Sequence, residues 1–148
     1  MATLKVKIQE DIVLGNQDYG SKRTLEISSI NEIMKRVVTC AASQTTTIAV
    51  FNSNAYGAAG AIDIEDSKYI RVTNLDSSNA VELAVVGAAT LYQVKLAAGQ
   101  SHVLGSADDL MLSEAATSPS FGTMADLGSI QVNPGGNAVD VELFIASA

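Results

Sequence analysis

The residues able to carry out acid–base or metal chemistry are few. The 148 residues contain one histidine, His102, and one cysteine, Cys40. A Ser-His-Asp hydrolase would have to use His102, and no nucleophile elbow lies near it. A structural zinc ion needs several Cys or His ligands, and a lone cysteine forms neither a cysteine metal site nor an intrachain disulfide. We therefore expect no catalytic residues and no enzyme activity, and we interpret Cys40 as a small buried hydrophobic residue.

Two short acidic clusters offer oxygen ligands for a cation. Asp63, Glu65 and Asp66 form the first cluster, and Asp108-Asp109 forms the second. Neither has the spacing of a known calcium loop, so we interpret both as turn residues. The segment Gly57-Ala58-Ala59-Gly60 lacks the lysine and the following helix of a phosphate-binding loop. The sequence therefore predicts no metal site and no cofactor, and none should be required for folding.

Composition narrows the class of protein. The chain is 47% hydrophobic, 17% charged and only 5% aromatic, so its core must consist mainly of Val, Ile, Leu and Ala. A net charge of −7 argues against direct binding of nucleic acid, which requires cations for the phosphates. The basic residues Lys22-Arg23 and Lys35-Arg36 indicate a solvated strand edge more than a contact patch. No signal peptide or membrane span is expected, so the chain should stay where it is made or be packaged by assembly.

Short β-strands separated by turns are the elements that would position any functional residue. Alternation of apolar and polar side chains from residue 69 to 112 predicts an antiparallel meander, with strands at 69–75, 81–86, 91–96, 101–104 and 110–112. Further strands are predicted at 4–8, 24–27, 45–51, 130–132 and 138–145. About ten strands at this spacing predict an all-β chain: a single-domain antiparallel β-sandwich of jelly-roll-like type, spanning residues 1–148.

The sequence does not decide the secondary structure of two segments. Asn31 could cap a helix, and residues 30, 33, 34 and 37 have helical spacing, but residues 36–39 are rich in β-branched side chains. We expect a strand in the second half of this segment, with a helical turn before it as an alternative. Residues 113–116 could form one further helical turn.

The central segment resembles a group of viral proteins. It contains Tyr69-Ile70-Arg71-Val72-Thr73-Asn74-Leu75-Asp76, then a polar turn and a Val-x-Leu strand that begins at Val81. Leu96-Ala-Ala-Gly99-Gln-Ser101 follows as a turn of the aliphatic-x-x-Gly-Gln-Ser type. These motifs, over about the middle third of the chain, resemble small β-proteins of tailed bacteriophages. Such families are virion components, among them capsid decoration (cement) proteins and tail-associated β-sandwich proteins.

The resemblance implies an architectural role and no active-site residues. It implies a decoration protein that binds across neighbouring capsid subunits, with the major capsid protein or another virion protein as partner. Its location would be the capsid surface, after assembly in the host cytoplasm. A neutral surface with edge strands that few charges protect also predicts a homo-oligomer, with a trimer as the expected state. The alternatives are a tail- or fibre-associated virion protein and a carbohydrate-binding β-module, for which 4 Tyr and 3 Phe are available.

The first residues are the candidate interface. Leu4, Val6 and Ile8 alternate with polar residues, and Ile12 extends the apolar run, so residues 1–14 form either an arm or an edge strand. Because a strand at a free end must be held by a partner, it pairs within its own sheet or adds to the edge of a neighbouring subunit. We favour the neighbour slightly, since arm exchange is common in shells.

Overall fold

The computed structural model describes residues 1–54, 57, 59–88, 90–114 and 118–148, and within these it contains strands and no helix. The strands are β1 (Ala2–Glu10), β2 (Val13–Leu14), β3 (Gln17–Asp18), β4 (Ser21–Ile30), β5 (Glu32–Cys40), β6 (Thr46–Asn52), β7 (Ile62–Asp63), β8 (Ser67–Asn74), β9 (Val81–Gly87), β10 (Leu91–Leu96), β11 (Ser101–Leu104), β12 (Leu127–Asn133) and β13 (Val139–Ser147).

Two sheets form the body of the molecule. Sheet 1 has the strand order β11-β8-β13-β5, and sheet 2 has the order β10-β9-β12-β6-β7. All their pairs are antiparallel except the short parallel pair β6–β7. Apart from β7, the described residues of the body form eight strands, and numbering them one to eight along the chain gives the orders 1-8-3-6 and 2-7-4-5. This is the strand order of a jelly roll, and it confirms the predicted single-domain β-sandwich.

The core lies between these two sheets. Along β13 the side chains of Val139, Val141, Leu143 and Ile145 are buried and point to one side of the sheet. Strands of sheet 2 supply the facing residues, such as Leu83 and Ile130, and both sheets contribute to one hydrophobic cluster. The period-2 alternation of the sequence is therefore the alternation between the core and the outer surface.

The four strands predicted from residue 69 to 104 form, but their arrangement as one antiparallel meander is wrong. Strand β8 pairs with β11 and β13 in sheet 1, whereas β9 pairs with β10 and β12 in sheet 2. The chain therefore crosses between sheets after β8 and again after β10. Asn74 holds both crossings together, because its fully buried amide donates hydrogen bonds to the carbonyls of Asn79, Leu96 and Ala97.

The structure also bears on the segments whose secondary structure the sequence did not decide. Residues 32–40 are strand throughout, so the alternative of a helical turn before the second half is wrong, because this segment pairs residue by residue with β13. No strand forms at 110–112, where Met111 makes a single bridge to Ala125. The helical turn predicted as possible at 113–116 includes residues 115 and 116, which lie outside the described residues.

A long hairpin precedes the sandwich. Strands β1 and β4 pair with each other along their length and with neither sheet, and β2 and β3 continue the hairpin to its turn. We call residues 2–30 the ribbon. Its root is tied to sheet 1 by the Asn31 N–H, which donates to the Ser147 carbonyl. The N-terminal strand thus pairs within its own chain, and its second edge has no partner among the described residues.

Candidate interaction surface

The ribbon turns at its tip through residues Gly15 and Asn16. Leu14 and Gln17 flank this two-residue loop, and both loop residues have positive φ, 58° and 64°. Positive φ at both central positions is the requirement of a type I′ turn, whose twist matches that of the strands. Gly20 is also required, because a Cβ there would lie 2.7 Å from the Glu10 carbonyl oxygen. The tip is therefore a defined hairpin end that presents its side chains in fixed directions.

The root of the ribbon packs on the outer face of sheet 1. Leu4, Val6 and Ile27 contact a small cluster that contains Tyr69 and Ala146. Phe144 also belongs to it, and its ring meets that of Tyr69 edge to face, with centroids 6.0 Å apart. The cluster is separate from the main core, so the ribbon is attached to the sandwich by a limited apolar contact.

The outer half of the ribbon leaves its apolar side chains in solvent. Of the four predicted interface residues, Leu4 and Val6 are half-buried against the chain's own sheet, whereas Ile8 is 59% exposed and Ile12 is 54% exposed. The structure thus divides the predicted set. Leu4 and Val6 attach the ribbon to the body, and Ile8 and Ile12 remain available.

Four further exposed apolar residues were missed by the sequence analysis. They are Val13, Leu14, Tyr19 and Leu25, each more than half exposed. The signal was present in the sequence, because Ile12-Val13-Leu14 is an apolar run placed directly before a turn that should be polar. Leu25 lies beside Val6 in register, so the apolar stripe of β1 has a counterpart on β4. We define the tip as residues 10–19 of the ribbon.

A cleft opens where the ribbon leaves sheet 1. It has a volume of about 500 Å³, and its walls include Ile8 and Leu25 from the ribbon and Tyr69 and Val103 from the sheet. The lining is mostly apolar, with Arg23 and Lys68 as its cationic members. Val103 is 48% exposed, so the sheet side of the cleft is also open to solvent. We call this space the ribbon cleft.

Charge is distributed unevenly along the ribbon. Residues 1–30 carry four cationic and four acidic side chains, so the whole net charge of −7 lies on residues 31–148. Glu10, Asp11 and Asp18 surround the apolar tip, whereas Lys22 and Arg23 lie nearer the body. Among the described residues, neither of these two cations forms an ion pair.

The two residues that sequence analysis considered for catalysis have structural roles. Cys40 is fully buried in the core, and desolvation raises the pKa of its thiol. His102 lies where β11 faces β10 across the open side of the sandwich, with its Nε2 3.1 Å from the Tyr92 hydroxyl. Desolvation lowers the pKa of His102 and raises that of Tyr92. In the described part of the chain, no carboxylate or serine is hydrogen-bonded to His102, so no triad forms.

The two acidic clusters adjoin in space. The backbone N–H of Glu65 lowers its carboxyl pKa, but a hydrogen bond with Asp63, desolvation and the charges of Asp63 and Asp108 outweigh it, and the pKa is raised. Carboxylate oxygens of Asp108, Asp109 and Asp126 lie within 4.8 Å of one another. Desolvation, followed by the two neighbouring charges, raises the pKa of Asp108. All three are exposed, and exposed acidic groups are common without an ion.

The outer face of sheet 2 carries a shallow cavity of about 310 Å³. Gln93 and Gln131 flank the small Ala84 in register across three strands, which creates the depression. At one end the Asn133 amide donates to a carboxylate oxygen of Glu82 over 3.2 Å. None of the described lining residues is aromatic.

Comparisons with known proteins give no family. None of the protein-family models matches the chain, and no curated protein matches it. A chain from a structure of Bacillus endospore appendages, described as a novel family of disulfide-linked pili, is similar over 81% of this chain and 88% of its own length. The two chains are 12% identical, with a TM-score of 0.43. A likeness at this level establishes neither a shared fold nor a shared function. Within the described residues, no helix has the length and hydropathy to cross a membrane.

Proposed function

We propose that the chain is a structural virion protein of the capsid decoration type, which assembles with copies of itself and binds across neighbouring capsid subunits. The observation that carries the proposal is the ribbon, which exposes six large apolar side chains, four of them at the tip and two, Ile8 and Leu25, at the ribbon cleft. They are Ile8, Ile12, Val13, Leu14, Tyr19 and Leu25. Several exposed large apolar side chains grouped on one element and accompanied by polar residues are typical of a protein contact.

The rest of the molecule supports an architectural role. The described side chains form no catalytic triad, and the buried polar residue Asn74 serves the backbone of the crossings. The central motif that resembles phage virion proteins occupies β8 and the loop after it, where Asp76 caps the turn through the N–H groups of Ser78 and Asn79. These residues lie in a strand and a turn of the jelly roll, which supports an architectural role for the motif.

Binding to a shell stabilises that shell by mass action. A subunit that contacts two neighbouring capsid subunits adds the free energy of each contact to the lattice, because separating the neighbours must first break those contacts. Apolar side chains held on a preorganised hairpin lose little conformational entropy on docking, which favours affinity. The ribbon has both properties, since its turn is defined and its strands are paired along their length.

The test is to locate the protein in a particle. Particles from the host that encodes the chain are purified, and cryo-electron microscopy is combined with mass spectrometry of the virion proteins. We expect density for the jelly roll on the outer capsid surface, with the ribbon in contact with capsid subunits. Density on the tail or a fibre would contradict a capsid decoration role and support the tail- or fibre-associated alternative. Absence of the protein from purified particles would contradict a virion role.

A carbohydrate-binding β-module is the second candidate, and one observation favours it. The sheet 2 cavity places two glutamines, an asparagine and a glutamate on one rigid face, and such groups hydrogen-bond sugar hydroxyls. An aromatic stacking platform, which sugar-binding sites usually have, is not among its described lining residues. A glycan array with the wild-type protein and the Gln93→Ala variant tests this function. Binding lost in the variant would support it.

A further inference from the structure

The tip and the ribbon cleft of this chain are complementary in shape and polarity. The tip is an apolar projection in which Ile12, Val13, Leu14 and Tyr19 are 54%, 70%, 68% and 58% exposed. The ribbon cleft is an apolar depression of about 500 Å³, within the range of roughly 300–1,000 Å³ that ligand-sized groups occupy. One chain therefore presents one projection and one depression of matching character.

Their charges are opposite. Glu10, Asp11 and Asp18 surround the tip, and their described partners are neutral: the Ser21 hydroxyl, the Gln9 amide and the Gly20 N–H. At the cleft, Arg23 has no ion pair among the described residues and lies on the same ribbon face as Ile8. Lys68 adds a second cation, although its Nζ also donates to the Glu65 carbonyl. Potentials of opposite sign favour encounter and fix the register of a contact.

The tip of a chain does not reach the cleft of the same chain. Ile8 forms part of the cleft wall, and Val13 lies five residues further out on the ribbon. At about 3.3 Å per strand residue, the tip is on the order of 15 Å beyond the cleft. The segment between them is a paired hairpin, in which residues 8–10 pair with β4 and the Tyr19 N–H donates to the Ile12 carbonyl, so it does not fold back on itself. Only the cleft of another molecule is accessible to the tip.

We propose that the tip of one copy docks in the ribbon cleft of a second copy, so that the chain self-assembles through this contact. The inference rests on the proposed function and deepens it by naming the surface through which the copies associate. Because donor and acceptor surfaces differ, the contact is heterologous, and successive copies close into a ring when the rotation between them permits. Three copies would form the expected trimer.

Sedimentation velocity across a micromolar concentration series tests the contact. We expect the wild type to form a defined oligomer and the Leu14→Asp variant to remain a monomer, since the substitution removes a large apolar side chain from the contact and desolvates a carboxylate in a mostly apolar cleft. Leu91→Asp is the matched control. Leu91 is 55% exposed on the outer face of sheet 2, away from tip and cleft, so this variant should assemble as the wild type does. Circular dichroism and melting confirm that each variant is folded.

Charge-reversal variants provide a second, independent test of the contact. Asp11→Lys and Arg23→Glu should each weaken self-association by roughly tenfold or more, because each places like charges at the contact. The double variant carries a cationic tip and an acidic cleft, so it should regain most of the lost association. A wild type that stays monomeric at high micromolar concentration would overturn the inference. So would an oligomer that survives Leu14→Asp, or a double variant no better than the singles.

The outcomes also separate this inference from the proposed function. A protein that self-assembles through the tip but is absent from particles would contradict the virion role and leave the contact established. A protein found on the capsid that sediments as a monomer would overturn the contact and leave the virion role standing.

Discussion

Strands β1 and β13 have the same kind of sequence and different surroundings. Both are nine residues long, and both carry aliphatic side chains at every second position. Strand β13 lies between β5 and β8, and its apolar face meets sheet 2, so Leu143 is fully buried. Strand β1 has one partner strand, and its apolar face leaves the sandwich within a few residues, so Ile8 is 59% exposed.

The difference shows that an alternating sequence predicts a strand with one apolar and one polar face. It does not predict which part of the molecule, or which partner, packs against the apolar face. In β13 the cover is the chain's own second sheet. In the ribbon, the chain covers only the root, through Tyr69 and Ala146. Exposed aliphatic side chains on a paired ribbon have an unfavourable hydration free energy, which a partner that buries them would remove. The comparison therefore separates residues that stabilise the fold from residues available for assembly.

The largest effect should come from a matched pair of leucines. Leu143→Ala should lower the free energy of unfolding by about 2–5 kcal/mol, because it removes a fully buried side chain and leaves a cavity. Leu14→Ala should change it by less than about 0.5 kcal/mol, since Leu14 is 68% exposed. Urea unfolding at a concentration where the wild type is monomeric measures both. Equal losses in the two variants would mean that the tip is part of the folded core.

Much of this division could be predicted from the sequence, and part could not. The alternation at 138–145 identified β13 and its buried face correctly, because a strand's own residues determine which face is apolar. The pairing of β8 could not be found in this way, since its partners β11 and β13 are set by the packing of two whole sheets. The tip was missed for a related reason: Val13 and Leu14 precede a turn, and turn residues are expected to be polar.

Deleting residues 2–9 should have the next largest effect. The deletion removes the ladder of β1 with β4 and the half-buried Leu4 and Val6. At about half of the roughly 1.5–3 kcal/mol for a fully buried side chain, the two together contribute about 1.5–3 kcal/mol. The sandwich should remain folded with a lower melting temperature, and self-association should be lost. Calorimetry and sedimentation measure the two separately, and unchanged melting with normal association would contradict the attached-ribbon interpretation.

A smaller difference in stability is expected between the ion pairs of sheet 1 and the ribbon. On the outer face of sheet 1, Arg71 donates to Glu142 over 2.6 Å, and this hydrogen bond, with help from Lys35, lowers the Glu142 pKa. Glu142→Gln should cost about 1 kcal/mol. On the ribbon, Lys5 and Glu26 pair at 2.8 Å with both side chains more than half exposed, so Glu26→Gln should cost less than about 0.5 kcal/mol.

The Glu142 contribution should also depend on pH. Because the folded pKa is lowered, the contribution is present above the ordinary carboxyl pKa and is lost as pH falls toward the folded value. Unfolding of wild type and Glu142→Gln at neutral and acidic pH measures this dependence. A difference between the two proteins that persists at the acid end would contradict the electrostatic explanation.

The smallest expected effect concerns the open side of the sandwich. The pKa of His102 is lowered from 6.5 by desolvation, so the folded state favours the neutral ring. Above the pKa of the unfolded chain, His102 is neutral in both states, so this preference does not change the free energy of unfolding. As pH falls below 6.5 the unfolded chain binds the proton first, and stability decreases until the folded pKa is reached. His102→Gln should remove this pH dependence while keeping a polar partner for Tyr92, and melting curves through this range check it.

The strand order has a consequence for how the protein is made. Strands β12 and β13, each of which lies between two others in its sheet, are the last two strands in the chain, whereas their neighbours β5, β6, β8 and β9 are synthesised earlier. Sheet pairings between segments so distant in sequence form slowly, and the earlier strands have unpaired edges until the later ones arrive. The ribbon needs no such delay, because only residues 11–20, which include the β2–β3 hairpin, separate β1 from β4, so the two strands can pair as soon as both leave the ribosome. During synthesis the apolar tip is therefore exposed before the sandwich that completes the ribbon cleft, so the two halves of the proposed contact form at different times.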